Sequence, residues 1–171
     1  MIISLIILAF SSCGNDENTN ESTDTDSDQV TIDTAGMTFE LNEDGQSYTI
    51  TGLHNCSSEE GILTIPDNYN NLPVTRIGTV ANGMSDSTTK QLILPDTIEV
   101  IESRAFMSST SLESIVFGSG LKVIEYGAFQ YCSNLTEITI PSNVTFLGAG
   151  AFKGCAQLKK VMLSNSLEMV Y

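Results

Sequence analysis

Lysine and arginine are scarce in this chain, seven among 171 residues against 21 aspartates and glutamates, for a formal net charge of −14. None of the seven lies before Arg76. The basic stripe that nucleic acid or an anionic membrane surface demands is therefore missing, and nucleic-acid binding is excluded. Tryptophan is absent and histidine occurs once, at His54. A Ser/His/Asp or Cys/His catalytic site would have to be built on that single imidazole. Zinc wants four ligands, and His54 has only Cys56 nearby, so neither metal nor cofactor is expected. The apolar run at the start, Ile2 to Phe10 broken only by Ser4, is far shorter than the ~20 residues of a spanning helix. No conventional enzyme is expected from such a sequence.

The charge that is present is uneven. Residues 1–75 hold 13 acids and no base, a net of −13, whereas residues 76–171 hold eight acids and seven bases, a net of −1. The short apolar run suits the core of a secretory signal. Ser11 and Ser12 directly before Cys13 resemble the lipobox of bacterial lipoproteins, although no Lys or Arg precedes the run and Phe10 stands where Leu is usual. That resemblance implies cleavage before Cys13, lipidation of Cys13, and a place in the bacterial cell envelope, at the outer membrane or cell surface. Residues 14–36 are dominated by Asn, Asp, Glu, Ser and Thr, too polar to fold, and are expected to form an acidic tether. Asp24, Asp26 and Asp28 open like a calcium loop, but Gln29 and Ala35 occupy the positions where Gly and Glu are required.

Residues 37–61 read as a hairpin that covers the start of the next region. Phe39–Leu41 and Tyr48–Ile50 alternate apolar and polar around Asn42–Gly45, with Gly45 supplying the turn's positive φ. From residue 62 to 171 a 23-residue period takes over. Val100–Ile101, Ala105–Phe106, Leu112, Ile115, Phe117 and Leu121 return as Val123–Ile124, Ala128–Phe129, Leu135, Ile138, Ile140 and Val144. They return again as Phe146–Leu147, Ala151–Phe152, Leu158, Val161, Leu163 and Leu167. Such a period is the signature of a solenoid whose coils contact only their neighbours. Strand segments are expected at Leu63–Ile65, Leu92–Leu94, Ile115–Phe117, Ile138–Ile140 and Val161–Leu163, each ended by Pro, Gly or Ser. The first interval is 29 residues long, because five extra residues fall between Pro66 and Ile77 and one between Asn82 and Leu92. A lone coil buries too little to fold. Its seven apolar residues contribute roughly 10–20 kcal/mol, against on the order of 35 kcal/mol for ordering 23 residues.

The pattern Ala-Phe-x-x-Cys-x-x-Leu-x-x-Ile-x-Ile-Pro-x-x-Val-x-x-Leu, read from Ala128 to Leu147, resembles the BspA-type leucine-rich repeat. The opening Leu63-Thr-Ile-Pro and Asn71-Leu-Pro-Val-Thr-Arg-Ile77 resemble that family's usual first repeat. The resemblance implies a β-rich α/β leucine-rich-repeat solenoid of about four to five coils. One parallel strand per coil, short helical or loop segments between, and an N-terminal hairpin cap complete the expectation. It implies a surface or secreted protein that binds host, matrix or neighbouring-cell proteins, and it assigns no catalytic residues.

Two outward columns are candidate binding surfaces. One is the middle residue of each strand segment, Ile93, Val116, Thr139 and Met162. The other precedes the inward Ile column, at Val100, Val123, Phe146 and Met169. Contiguous exposed apolar residues mark interaction sites, although β-branched residues also simply suit strands. Cys132 and Cys155 share a column with Ser109, as small buried side chains or as a disulfide pair of an exported protein. The period stops at Val170–Tyr171, before the next Ala-Phe. Further coils beyond this chain, or end-to-end association, are the two expectations that follow. A structural spacer in an envelope complex is the alternative to a binding module.

Overall fold

The computed structural model describes residues 31–32, 36–53, 61–80, 84, 88–163 and 169–170. Strand β1 (Thr31–Ile32) pairs antiparallel with β2 (Met37–Leu41), and β2 pairs antiparallel with β3 (Tyr48–Leu53). The β2–β3 turn has Gly45 at φ +63°, a conformation that costs glycine nothing. The Asn42 amide ties the loop together through Ser47 Oγ at 2.7 Å, and Asn42 Oδ1 accepts from Thr49 Oγ1 at 2.6 Å. After β4 (Ile62–Thr64), the five extra residues form a second hairpin, β5 (Asn68–Tyr69) with β6 (Leu72–Ile77). Its two-residue loop, Asn70–Asn71, has positive φ at both positions, the type I′ geometry that asparagine tolerates. Tyr69 stacks on Phe39 at 4.0 Å between ring centroids and meets Tyr48 edge-on at 5.1 Å. The insertion thus bolts the first hairpin onto the solenoid.

From there each coil carries two strands. The first series is β7 (Gln91–Ile93), β9 (Ser114–Val116), β11 (Glu137–Thr139) and β13 (Lys160–Met162). The second is β8 (Val100–Ile101), β10 (Val123–Ile124), β12 (Phe146–Leu147) and β14 (Met169–Val170). β4, β7 and β9 form one parallel sheet and β11 with β13 another, while β3, β6, β8, β10, β12 and β14 align in parallel along one long sheet. One strand per coil was expected, and the structure has two. A two-residue strand is too short to show alternation, but Val100–Ile101 and its repeats send one side chain out and one in, as a strand must. The first-series strands also end one residue earlier than their apolar pattern. Ile65, Leu94 and Ile140 still donate to the next coil at 2.8–2.9 Å, but the proline that follows each has no N–H to continue the ladder.

No helix occurs among the described residues, although the fold is the expected parallel-strand solenoid. Backbone accounting explains the choice at the Ala-Phe corner. The N–H groups of Arg104, Phe106 and Ser108 donate across to the carbonyls of Tyr126, Ala128 and Gln130, one coil on, at 2.8–2.9 Å. Those of Ala105, Met107 and Ser109 donate back three residues at 3.1–3.2 Å. A helix would need every N–H for its own turn, whereas alternate donors here stitch coil to coil. The zigzag puts positive φ at Arg104 and Ser108, and again 23 and 46 residues on at Gly127, Tyr131, Gly150 and Gly154.

The core is a set of columns. Ile50, Ile77, Ile101, Ile124 and Leu147 lie in strand register and are all buried. Phe106, Phe129 and Phe152 stack at 5.2 and 5.6 Å, with Phe117 edge-on to Phe129 at 5.9 Å. Cys132 and Cys155 are free thiols, each donating to a carbonyl of the preceding coil, Phe106 O and Phe129 O, at 3.2 Å. Desolvation, with the neighbouring Cys155 adding to it, pushes the Cys132 thiol up to about 12. A thiol so held stays protonated and behaves as a small hydrophobe.

Candidate functional site

The two strand series turn different faces outward. On the long sheet, Val123 lies between Val100 and Phe146, and Phe146 beside Met169, all in strict parallel register. Val100, Val123 and Phe146 are half-buried. Arg76 occupies the same register position one strand earlier, paired with Val100. The column therefore begins with a cation and continues as an apolar stripe. Charged groups border it. Arg76 donates to Glu102 Oε1 from Nη2 at 2.9 Å and from Nε at 3.0 Å, and Lys122 pairs with Glu99 at 2.8 Å. Glu125 accepts from the Ser103 amide and hydroxyl at 3.0 and 2.8 Å.

At the hairpin end this face sinks into an open groove of about 950 Å³. Its walls come from the hairpin, through Glu40, Glu43, Asp44 and Thr51, and from the first coils, through Arg76 and Val100. The groove lies where the antiparallel hairpin meets the first parallel strands, with β3 paired to β6 and the Asn42 amide reaching Thr75 Oγ1 at 3.4 Å. Nothing in the 23-residue pattern announces it, since half of its lining lies outside the repeat.

The other outward column is flatter. Val116, Thr139 and Met162 are exposed and Ile93 is half-buried, on strands whose alternate residues face the core. Lys90 and Glu113 pair across this face at 3.5 Å, both well exposed. The two expected columns thus lie on separate sheets and do not converge. A third exposed group escaped the strand pattern: Met107, Tyr126 and Tyr131 protrude from the Ala-Phe corner, with the Arg104 guanidinium 5.5 Å from the Tyr126 ring centre. For Tyr126 and Tyr131 the signal that would have found them is a bulky residue at a turn position where the other coils carry Ser, Ala or Gly, whereas Met107 shares its column with Gln130 and Lys153. Cys13, His54 and Cys56 lie outside the described residues, and of Met169 only the backbone is described. Among the described residues no three His, Cys, Asp or Glu side chains converge to hold a metal, and no helix is long and apolar enough to cross a membrane.

Parallel coils of 23 residues, laddered apolar columns and two strands per turn define a leucine-rich-repeat solenoid of about four turns. The family model described as BspA type leucine rich repeat region (6 copies) matches residues 75–171, more than half of the sequence. The chain belongs to the BspA-type leucine-rich repeat family. A leucine-rich repeat protein from Bacteroides capillosus is similar in structure, with a TM-score of 0.63 and 27% identity over 78% of this chain and 98% of that one. The pneumococcal vaccine antigen PcpA is similar with a TM-score of 0.64 and 25% identity, over 85% of this chain and 40% of that one. The T. pallidum leucine rich repeat protein shares the fold at 22% identity, with a TM-score of 0.52 over 73% of this chain and 67% of that one. No curated protein matches by sequence. Membership places the chain among repeat modules of the protein-interaction type.

Proposed function

We propose that this chain is a bacterial surface module that binds a protein partner with the outer face of its long sheet, held to the membrane by a lipid on Cys13. The observation that carries the reading is the in-register stripe of Val100, Val123 and Phe146, apolar side chains turned away from a core that already has its own columns. Solenoids present such extended faces rigidly, and apolar patches bordered by charge mark contact with another protein. Membership of a bacterial leucine-rich-repeat family supports the location. The column of Ile93, Val116, Thr139 and Met162 is the second candidate face.

The test is capture on immobilised matrix and host-surface proteins by the wild type and by a Val123→Asp/Phe146→Asp variant. Both positions are half-buried on the outside, so the variant keeps the inward columns. A partner held by the wild type and lost by the variant supports the reading. Equal capture by both moves binding to another face, and no capture at all favours a spacer role in an envelope complex. The anchor is tested separately: a palmitate analogue should label the wild type grown with its own leader and should not label Cys13→Ala. The exposed Val161, Met162 and Leu163 support a further contact, between copies of the chain end to end. A monodisperse monomer in light scattering at high concentration excludes it.

A further inference from the structure

We infer that the groove at the hairpin end of the long sheet takes a polypeptide segment carrying lysine or arginine beside apolar side chains. The inference rests on the proposal that the outer face of this sheet binds protein, and it adds the chemistry of the partner. The groove holds about 950 Å³, enough for several side chains, and it opens directly onto the stripe through Val100. Its lining has five carboxylates, Glu40, Glu43, Asp44, Glu99 and Glu102, against one guanidinium, that of Arg76. Arg76 is already committed to Glu102, donating twice to the same oxygen. Glu99 is paired with Lys122 at 2.8 Å, and Asp44 is engaged by the Gln46 amide and the Ser47 hydroxyl of its own turn. Glu40 and Glu43 are exposed, and their carboxylates have no ion pair or hydrogen bond among the described residues, so their charge is available to an incoming cation.

The arrangement also selects among cations. A metal ion needs carboxylates that converge, and no three acidic, His or Cys groups do so among the described residues. Carboxylates spread along a groove suit several cations carried on one polymer. An acidic partner would meet like charge on the hairpin wall, where Glu40 and Glu43 have no counter-ion among the described residues, which costs affinity and slows encounter. The apolar stripe leading out of the groove takes the partner's uncharged side chains, so the complement is a segment that is both basic and apolar. Exposed carboxylates act at a distance through water, and their contribution falls as salt screens them.

The experiment titrates the full chain with two synthetic peptides, four repeats of Lys-Val-Gly and four of Glu-Val-Gly, by calorimetry at low and at moderately high salt. The basic peptide should bind at least about tenfold more tightly than the acidic one, and lose most of that margin at high salt. Glu40→Gln/Glu43→Gln/Glu99→Gln removes three charges at exposed positions without changing shape, the third with loss of the exposed Glu99–Lys122 ion pair, which contributes little to stability. It should weaken the basic peptide about tenfold, with the melting temperature unchanged. Equal affinity for the two peptides, no binding of either, or indifference to the triple substitution overturns the inference. Each of these leaves the protein-binding reading standing, because that reading is judged by whether a captured partner is lost in Val123→Asp/Phe146→Asp.

Discussion

The third and fourth coils of the solenoid repeat the same pattern, yet their inward side chains live in different surroundings. Ile138 and Ile140 are 2% and 3% exposed, while their counterparts Val161 and Leu163 are 44% and 53% exposed. Phe129 and Cys132 are fully buried, and Phe152 and Cys155, 23 residues later, are half-covered. The side chains are similar in size and polarity, so composition cannot be the cause. What differs is the next layer. Phe129 has a ring stacked on each side, Phe106 and Phe152, whereas Phe152 has a described ring partner on one side only. Burial in this fold is therefore a property of a pair of coils and not of a coil. Stability should follow the same rule, as a sum of neighbour terms.

The largest test of that rule is Phe129→Ala. A ring fully enclosed between two others leaves a cavity, and the loss should be about 3–5 kcal/mol in chemical denaturation. Phe152→Ala should cost about half as much. Phe146→Ala, on the outward stripe, should cost roughly 1 kcal/mol, the value of partial apolar burial. Equal losses at Phe129 and Phe146 would place the stripe inside the core and remove the binding face with it. Next in size is the pair Ile140→Ala and Leu163→Ala. The former should cost about 2–4 kcal/mol and the latter below about 1 kcal/mol. A large effect at Leu163 would mean that something covers the fourth coil in solution, which self-association would supply.

Much of this was legible in the residues alone. The register of Phe106/Phe129/Phe152 and of Ile101/Ile124/Leu147 follows from their spacing, because a solenoid has only one way to stack equal coils. The second strand of each coil was not legible as a strand. Val100–Ile101 offers just two residues, and two residues do not define a period. Nor did the Ala-Phe corner reveal its form. Whether alternate N–H groups close a turn or reach the next coil depends on the neighbour's position, which no local pattern encodes. The groove was the least accessible of all, since it is made between a non-repeating hairpin and the first repeats. Only its charge could be read in advance, as the run of acids before Arg76.

The cysteine column sharpens the comparison chemically. Cys132 is buried with its thiol pushed to about 12. Cys155 is raised too, also by desolvation, but stands half-covered. Iodoacetamide on the folded chain should modify Cys155 well before Cys132, as followed by peptide mass spectrometry. For stability the sign is set by the raised value: the folded state holds the Cys132 proton more tightly than the unfolded state. Its contribution is complete below the ordinary thiol value of 9.0 and is lost as pH rises from there through about 12. Cys132→Ala should flatten the alkaline side of the stability curve. Modification of both thiols at one rate would show that the fourth coil shields its column as well as the third does.

The smallest expected effect concerns the backbone, where coils differ in how they meet one requirement. Ser108, Tyr131 and Gly154 share a column and all have positive φ, at 63°, 63° and 79°. An L-residue in that region pays about 1–2 kcal/mol that glycine does not, partly offset by the greater freedom glycine has when unfolded. Ser108→Gly should therefore stabilise the chain by about 0.5 kcal/mol. The reverse exchange at the other end of the column should do more harm than that gain, because the Tyr131 ring lies where a Cβ of residue 154 would project. Gly154→Ser should lose about 1–2 kcal/mol, combining strain with the displaced ring. Thermal melts of the two variants, compared with wild type, separate the terms. If both substitutions shift stability by the same amount and sign, the positive-φ column is relaxed in solution, and the coils are joined by another hydrogen-bond pattern at this corner.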